Sequence, residues 1–539
     1  MRENADACHN PGTRPPSVEP TMAPNQISFF VSMVGIRSTG GIGTRGAAPC
    51  YIAEHPMQAE TPLPALSTLL PRELAAELLG LACASGATFA DMYAEHAILT
   101  GFSLDEDRLK SASYSVLQGV GVRAIRGEQT GYAYADGFAP DALREAARVA
   151  ARIAREAPPA ATGPGGVPLA FRVADAAAPF TLQHPATLAL DEARKVELLR
   201  RANTAARAHD ARVREVSAGF ATSAKSYLVA NSDGVWAEDR THLSRLVVSA
   251  LALEGDQRQE GFAAAGGCVE AGYFADERTP EAVALEAASG AVLLLSAREP
   301  EAGSYPVVVC NGWGGVMVHE CFGHSMEGDT IRRKTSIRAT QMGAQVAARG
   351  VTIVDSGLVP YSRGSFRVDD EGTPAQRTVL VEDGVLVGYL WDRLNASLTG
   401  NRPTGNGRRA SYRDYPLCRM TNTYIEPGRL APDALIADVK RGLYCKKLGG
   451  GSVNPADGNF SFQVTEGWQI EDGRLTFPVR NATLTGNGND AMLKIDGVAT
   501  DLLIDGTTGS CGKDGQWKPV GVGQPTVRFS GITVGGTAV

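Results

Sequence analysis

Apolar positions recur at helical spacing in four stretches of the first half of the chain: Pro71 to Gly86, Ala139 to Ala157, Asp191 to Asp210 and Pro280 to Ser296. The second opens with Pro140-Asp141, residues that suit a first helical turn. Between these stretches the period falls to two, most clearly from Leu243 to Leu253, so this half reads as a sheet with helices packed on it. Beyond about residue 303 strand patterns dominate. Asp383-Gly384 joins Thr378–Glu382 to Val385–Trp391, and Asp472-Gly473 joins Phe460–Glu471 to Arg474–Val479. An Asp-Gly pair between alternating runs is a hairpin signal, which predicts a curved antiparallel sheet. Two helices interrupt it, one around residues 319–324 and one over Pro432 to Lys446, stopped by Gly449-Gly450-Gly451. No internal repeat of fixed period is present. The expected fold class is α+β.

Residues 1–61 differ from the rest. They are rich in Pro, Gly, Ser and Thr, and are expected to form a disordered N-terminal extension, with Met57 a candidate start. Their apolar run, Ile27 to Ile36, is too short to span a bilayer and lacks a basic flank. Gly41-Ile42-Gly43-Thr44-Arg45-Gly46 matches a dinucleotide-binding string, but Ala47-Ala48-Pro49 follows and no helical pattern does, so that reading is set aside. The remainder divides into an N-terminal α/β-type domain, 62–302, and a β-rich C-terminal domain, 303–539. The loop-forming Pro158-Pro159 and Gly163-Pro164-Gly165-Gly166 fall inside the first.

With 539 residues the chain is long enough for at least two sizeable cores. A net charge of −7 argues against a nucleic-acid-binding surface. Nine cysteines, an odd number without C-x-x-C pairs, suit a reducing cytoplasm, and no membrane association is expected.

The chemistry concentrates at His319-Glu320-Cys321-Phe322-Gly323-His324. Two imidazoles bind Zn²⁺, and a glutamate beside one of them can take a proton from a metal-activated water. Histidines four apart would sit about 40° from each other on an α-helix, whereas five apart is about 140°, nearly opposite faces. A regular helix therefore cannot supply both ligands; a one-turn π-bulge would stack them, with Gly323 easing the departure from helical geometry. A third ligand must come from elsewhere. Cys511, in the glycine-punctuated Thr507–Gln516 segment, is favoured over Cys310, at the end of an apolar strand-like run, and Cys321, between the histidines. Lys513 beside Cys511 would favour the thiolate. Arg409, Asn422 and Tyr424 lie in loop-like blocks with little apolar periodicity and are candidates for lining a substrate cleft.

Six separated blocks carry a family resemblance. They are Gln118–Ala124 with Gly131–Asp136; Gly314-Gly315 through His319-Glu320, Gly323-His324-Ser325 and Glu327-Gly328-Asp329; Asp369–Gly372; Pro403–Arg409; Arg419–Tyr424; and Cys511-Gly512-Lys513 with Gly515-Gln516. From about residue 88 onward the chain resembles the TldD/PmbA family of zinc metallopeptidases, of the metal-bearing TldD type. The resemblance implies one Zn²⁺ per chain on His319, His324 and Cys511, with Glu320 as general base. It further implies dimers, often with a homologous metal-free subunit, that cleave unfolded peptides in an enclosed cavity, as in leader-peptide removal or antitoxin degradation. The extension and the Cys321-Phe322 pair depart from the family pattern. Two other readings are carried alongside: a peptide-binding or regulatory module with a structural metal, and a zinc hydrolase of a non-peptide amide.

Overall fold

A computed structural model describes residues 63–84, 86–155, 171–173, 190–454 and 456–536. All belong to the unit Gln58–Val539. The expected extension, residues 1–61, and the candidate start Met57 lie outside the described residues.

The first half is built from six long antiparallel strands in the order Gln129–Asp136, Arg108–Arg126, Phe89–Asp105, Val213–Asn231, Val235–Glu254 and Gln257–Gly267, with the short Arg172–Val173 strand also pairing Val235–Glu254. Period-two alternation gives this sheet two different faces. On one, Ala90, Met92 and Ala94 pack beneath the helices Arg72–Cys83 and Pro140–Arg155, while Phe102 and Leu104, further along the same strand, pack beneath Glu192–His209 and Pro280–Leu295. Strands of 17 to 20 residues are long enough for two helix pairs side by side. The helices start where the sequence places them: Asp191 caps one by accepting from the N–H of Arg194 at 2.6 Å, and Thr279 caps another before Pro280.

The element order helix–strand–strand–strand–helix occurs twice, and the first strands of the two units, Phe89–Asp105 and Val213–Asn231, pair with each other. The units even share a contact. A Cβ on Gly131 would meet the Ala150 carbonyl oxygen at 2.0 Å, and one on Gly261 the Ala287 carbonyl oxygen at 2.0 Å, so each last strand lets its helix approach at a glycine. Such duplication leaves no periodic sequence string because only backbone approach and burial are repeated.

The sheet's other face meets the C-terminal half. Asp91 and Glu371 share the buried Arg123 guanidinium, Glu95 accepts from the Tyr412 N–H at 3.0 Å, and Tyr227 donates to the Val368 carbonyl at 2.5 Å.

Two large sheets, with two small two-stranded ones beside them, form the C-terminal half. In one, Arg441–Val453, Gly303–Val309, Val527–Gly535, Ala482–Asn487 and Asn459–Glu471 close into a ring, because the last of these also pairs the first. The other runs Val385–Leu386, Arg377–Glu382, Ile353–Ser356, Asn422–Ile425, Gly521–Gln524 and Leu503–Asp505. Pairing is mostly antiparallel, but Gly303–Val309 with Arg441–Val453, and Asn422–Ile425 with Gly521–Gln524, are parallel. The Asp-Gly pairs form hairpin turns with positive φ at both residues, 45° and 82° at Asp383-Gly384 and 44° and 74° at Asp472-Gly473.

The helix expected over Pro432 to Lys446 is not formed. One turn, Ala434–Ala437, is followed by the strand Arg441–Val453. Leu443, Cys445 and Leu448 bury their side chains in the ring while Leu443 and Cys445 pair with Val307 and Val309, so sheet packing overrides the helical propensity of the segment. The three glycines belong to the strand, not to a helix stop: a Cβ on Gly451 would sit 1.9 Å from the Phe462 ring. Among the described residues no helix is long and apolar enough to cross a membrane.

Candidate metal centre

Residues 312–326 form one continuous helical run that changes its winding three times. A 3₁₀ turn, Gly312–Gly315, leads to α turns at Val316–Val318, a π-helix at His319–Gly323, and a 3₁₀ turn at His324–Met326. The His324 N–H bonds the His319 carbonyl, the i to i+5 bond that defines a π turn. This brings the imidazoles of the expected histidine pair together, with ring centroids 5.3 Å apart and planes at 83°. Met317, Val318, Cys321 and Phe322 anchor the run in the large C-terminal core. Gly323 serves differently from the sequence expectation: its backbone is helical, φ −53° and ψ −56°, but a Cβ there would lie 1.7 Å from Met420 Sδ. Close packing, not conformational freedom, requires the glycine.

Cys511 arrives on the hairpin Ser510–Lys513 and Gln516–Pro519, turned by Asp514-Gly515 with φ of 49° and 76°. Arg419, 1% exposed, clamps both strands by donating to the carbonyls of Cys511 at 2.5 Å and Gln516 at 3.2 Å. Cys511 Sγ then sits 3.3 Å from His324 Nε2, and one donor atom from each of His319, His324 and Cys511 lies within 4.8 Å of the others. A tetrahedral zinc with Zn–S of about 2.3 Å and Zn–N of about 2.0–2.1 Å separates its ligands by about 3.5 Å, so these side chains fit such an ion with little adjustment. Burial acts to raise the Cys511 thiol, but His319 and His324 outweigh it and hold it well below the ordinary thiol range. A thiolate beside imidazoles is the donor chemistry zinc selects. Among the described residues no fourth Cys, His, Asp or Glu joins this cluster. Cys310 turns to Asn311 Oδ1 at 3.2 Å, and Cys321 is buried in the core, its thiol pushed up by burial.

Glu320 lies at the edge of the cluster. Its side chain is 21% exposed, and Oε2 is 3.8 Å from His324 Nε2. Behind the cluster, the buried Glu327 carboxylate faces His324 Nδ1 at 3.5 Å and accepts from Lys513 Nζ at 2.8 Å. Burial acts to raise Glu327, but Lys513 and His324 together bring it down to about 2. Lys513 also donates to Asp329 at 2.7 Å and to the Cys418 carbonyl at 3.1 Å. Lys513 therefore fixes Glu327, while the histidines hold the thiolate that the sequence assigned to Lys513. The functional roles of Glu327 and Arg419 were missed by sequence reasoning. For Glu327 the signal was its closeness in sequence, three residues after His324, although its backbone has already left the helical run and is extended at φ −69° and ψ 130°.

Arg409, Asn422 and Tyr424, expected to line a cleft, are all buried. Arg409 lies over the Tyr93 ring and bonds Asp370 through its own N–H and its guanidinium. Asn422 donates to the Ser356 carbonyl and Ser365 Oγ and accepts from Ser362. Tyr424 is a strand residue 9% exposed. Their side chains are held in the scaffold by these contacts.

Known proteins resemble the chain over most of its length. Residues 90–154, 186–295 and 302–536 match the models for domain 1, the central domain and the C-terminal domain of the PmbA/TldA metallopeptidases. The chain is 40% identical over 453 residues to the metalloprotease TldD homolog of Haemophilus influenzae, covering 83% of this chain and 93% of the relative. It is 29% identical over 328 residues to the zinc metalloprotease TldD homolog of Saccharolobus solfataricus, 58% of this chain and 72% of the relative. The crystal structure of TldE from Thermococcus kodakarensis superposes with a TM-score of 0.70 at 19% identity, covering 86% of this chain and all of that one, a likeness of fold. The chain belongs to the TldD/PmbA family of metallopeptidases.

Proposed function

We propose that this chain hydrolyses peptide bonds of unfolded peptides with one zinc ion held by His319, His324 and Cys511. The observation that carries the reading is the convergence of three donors from two distant segments, with a glutamate at the edge and no fourth protein ligand among the described residues. A zinc ion there supplies Lewis acidity, polarising a carbonyl and acidifying water. Glu320, partly exposed at the edge, accepts the proton of the attacking water and passes it to the leaving amine. Glu327 orients His324 through Nδ1, and Arg419 fixes the backbone that presents the thiolate. The name of the Saccharolobus relative supports zinc.

The natural partner is an extended peptide bound through main-chain hydrogen bonds. A homologous subunit, metal-free or a second copy, completes the assembly, which the shared fold with a protein named TldE supports. The location is the cytoplasm, where the seven free cysteines among the described residues stay reduced. A peptide-binding module with a structural metal would need a fourth ligand to close the site. Glu320→Ala decides between the two: the peptidase keeps its zinc and loses cleavage about 10²–10⁴-fold, whereas a structural site leaves function intact.

A further inference from the structure

A cavity of about 170 Å³ lies between the second face of the long sheet and the C-terminal half, far larger than the ~10–15 Å³ a single water needs. Leu99, Leu117, Leu243, Phe366 and Trp517 give it apolar walls. Its charged lining is Lys225, Arg363, Arg408 and Lys518 against Glu95, Asp369 and Asp370.

The cations are poorly matched. Asp370 is shared by both lysines, with Lys518 Nζ at 2.9 Å and Lys225 Nζ at 4.0 Å. Asp369 is turned into backbone, accepting from the N–H groups of Glu371, Thr373 and Gly407, and Glu95 accepts from the Tyr412 N–H. Among the described residues neither guanidinium is ion-paired. Arg408 donates to the carbonyls of Met420 and Pro519, and Arg363 to that of Thr507, leaving Arg363 Nε buried without a partner. Burial, reinforced by the charge of Arg245, pushes Arg363 down to about 10. Unmet cations behave this way.

We propose that this cavity is a binding pocket for a carboxylate carried on an apolar group, received by the fork of Arg363 with Lys225 and Arg408, its apolar body against the leucines and Phe366. A free N-acylated amino acid and the C-terminal residue of a peptide both present this chemistry. The pocket is built separately from the metal cluster, although the two share a hairpin in which Lys518 stands directly opposite Cys511.

The test is calorimetric titration of the zinc-loaded full chain with N-acetyl-leucine, N-acetyl-leucinamide and acetyl-Ala-Ala-Leu bearing a free C-terminus. N-acetyl-leucine is expected to bind at least tenfold more tightly than its amide. Lys225→Met and Arg363→Gln, both outside the metal cluster, are each expected to weaken it at least tenfold; if one fails to fold, the other decides. Tighter binding of the tripeptide acid assigns the pocket to peptide ends, and equal or weaker binding assigns it to small carboxylates. No difference between acid and amide in the wild type overturns the proposal, as does acid binding that neither variant weakens, which would place the acid elsewhere, the metal included.

Discussion

Replacing Glu327 with Gln keeps the shape of a side chain that is 1% exposed and removes its charge. Its carboxylate faces His324 Nδ1 at 3.5 Å and holds Lys513 at 2.8 Å. Removing the carboxylate behind a metal-ligating histidine typically costs 10–100-fold in metal affinity, about 1.4–2.8 kcal/mol. Stability suffers separately. Deleting one partner of a buried ion pair costs about 3–5 kcal/mol, and the low end, about 3 kcal/mol, applies because Lys513 keeps Asp329 at 2.7 Å and the Cys418 carbonyl. Zinc affinity is measured by competition with a chromophoric chelator, and stability by urea unfolding of the metal-free protein. The expected pair of results is a 10–100-fold weaker zinc complex and a metal-free protein about 3 kcal/mol less stable. If Glu327→Gln loses the stability but binds zinc within about twofold of wild type, the orienting role assigned to Glu327 is wrong.

Gly323→Ala forces a Cβ toward Met420 Sδ and is expected to cost about 1–3 kcal/mol in urea unfolding, with zinc binding weakened. Met420→Ala in the same chain should recover part of both; a double variant no better than the single one refutes the packing explanation. His242, 5% exposed, has its pKa lowered by burial to about 4 from 6.5. The unfolded chain then binds more protons below pH 6.5, so this contribution is complete above about pH 6.5 and is lost as pH falls to about 4. It amounts to no more than about 3 kcal/mol. Unfolding free energies across that range should fall less steeply in His242→Gln; identical slopes would show that His242 is not the group responsible.

Much of this molecule could be read from its sequence where one residue type has one physical use. Asp-Gly pairs marked turns because few other pairs tolerate positive φ at both positions. Capped, strongly periodic helices such as Glu192–His209 fell within a few residues of their expected ends. The five-residue histidine spacing forced a π turn because no other helical winding stacks those rings. Long-range packing was not legible. Nothing local in Arg441–Val453 announces the parallel partner Gly303–Val309 that makes it a strand, and nothing around Gly323 announces Met420. Arg409 and Asn422 looked like surface loop residues because their partners, Asp370 and Ser356, come from other segments. The glycine-punctuated segment around Cys511 was visible, but the presentation of Cys511 on a hairpin turned by Asp514-Gly515 depends on Arg419 from a distant segment.

The central claim is a zinc site made by His319, His324 and Cys511, and elemental analysis of the purified full chain tests it most directly. About one zinc per chain is expected in the wild type and in Glu320→Ala, with loss or clear weakening in His324→Ala and Cys511→Ala. A folded wild type without zinc, or full zinc retained in Cys511→Ala, would contradict the account.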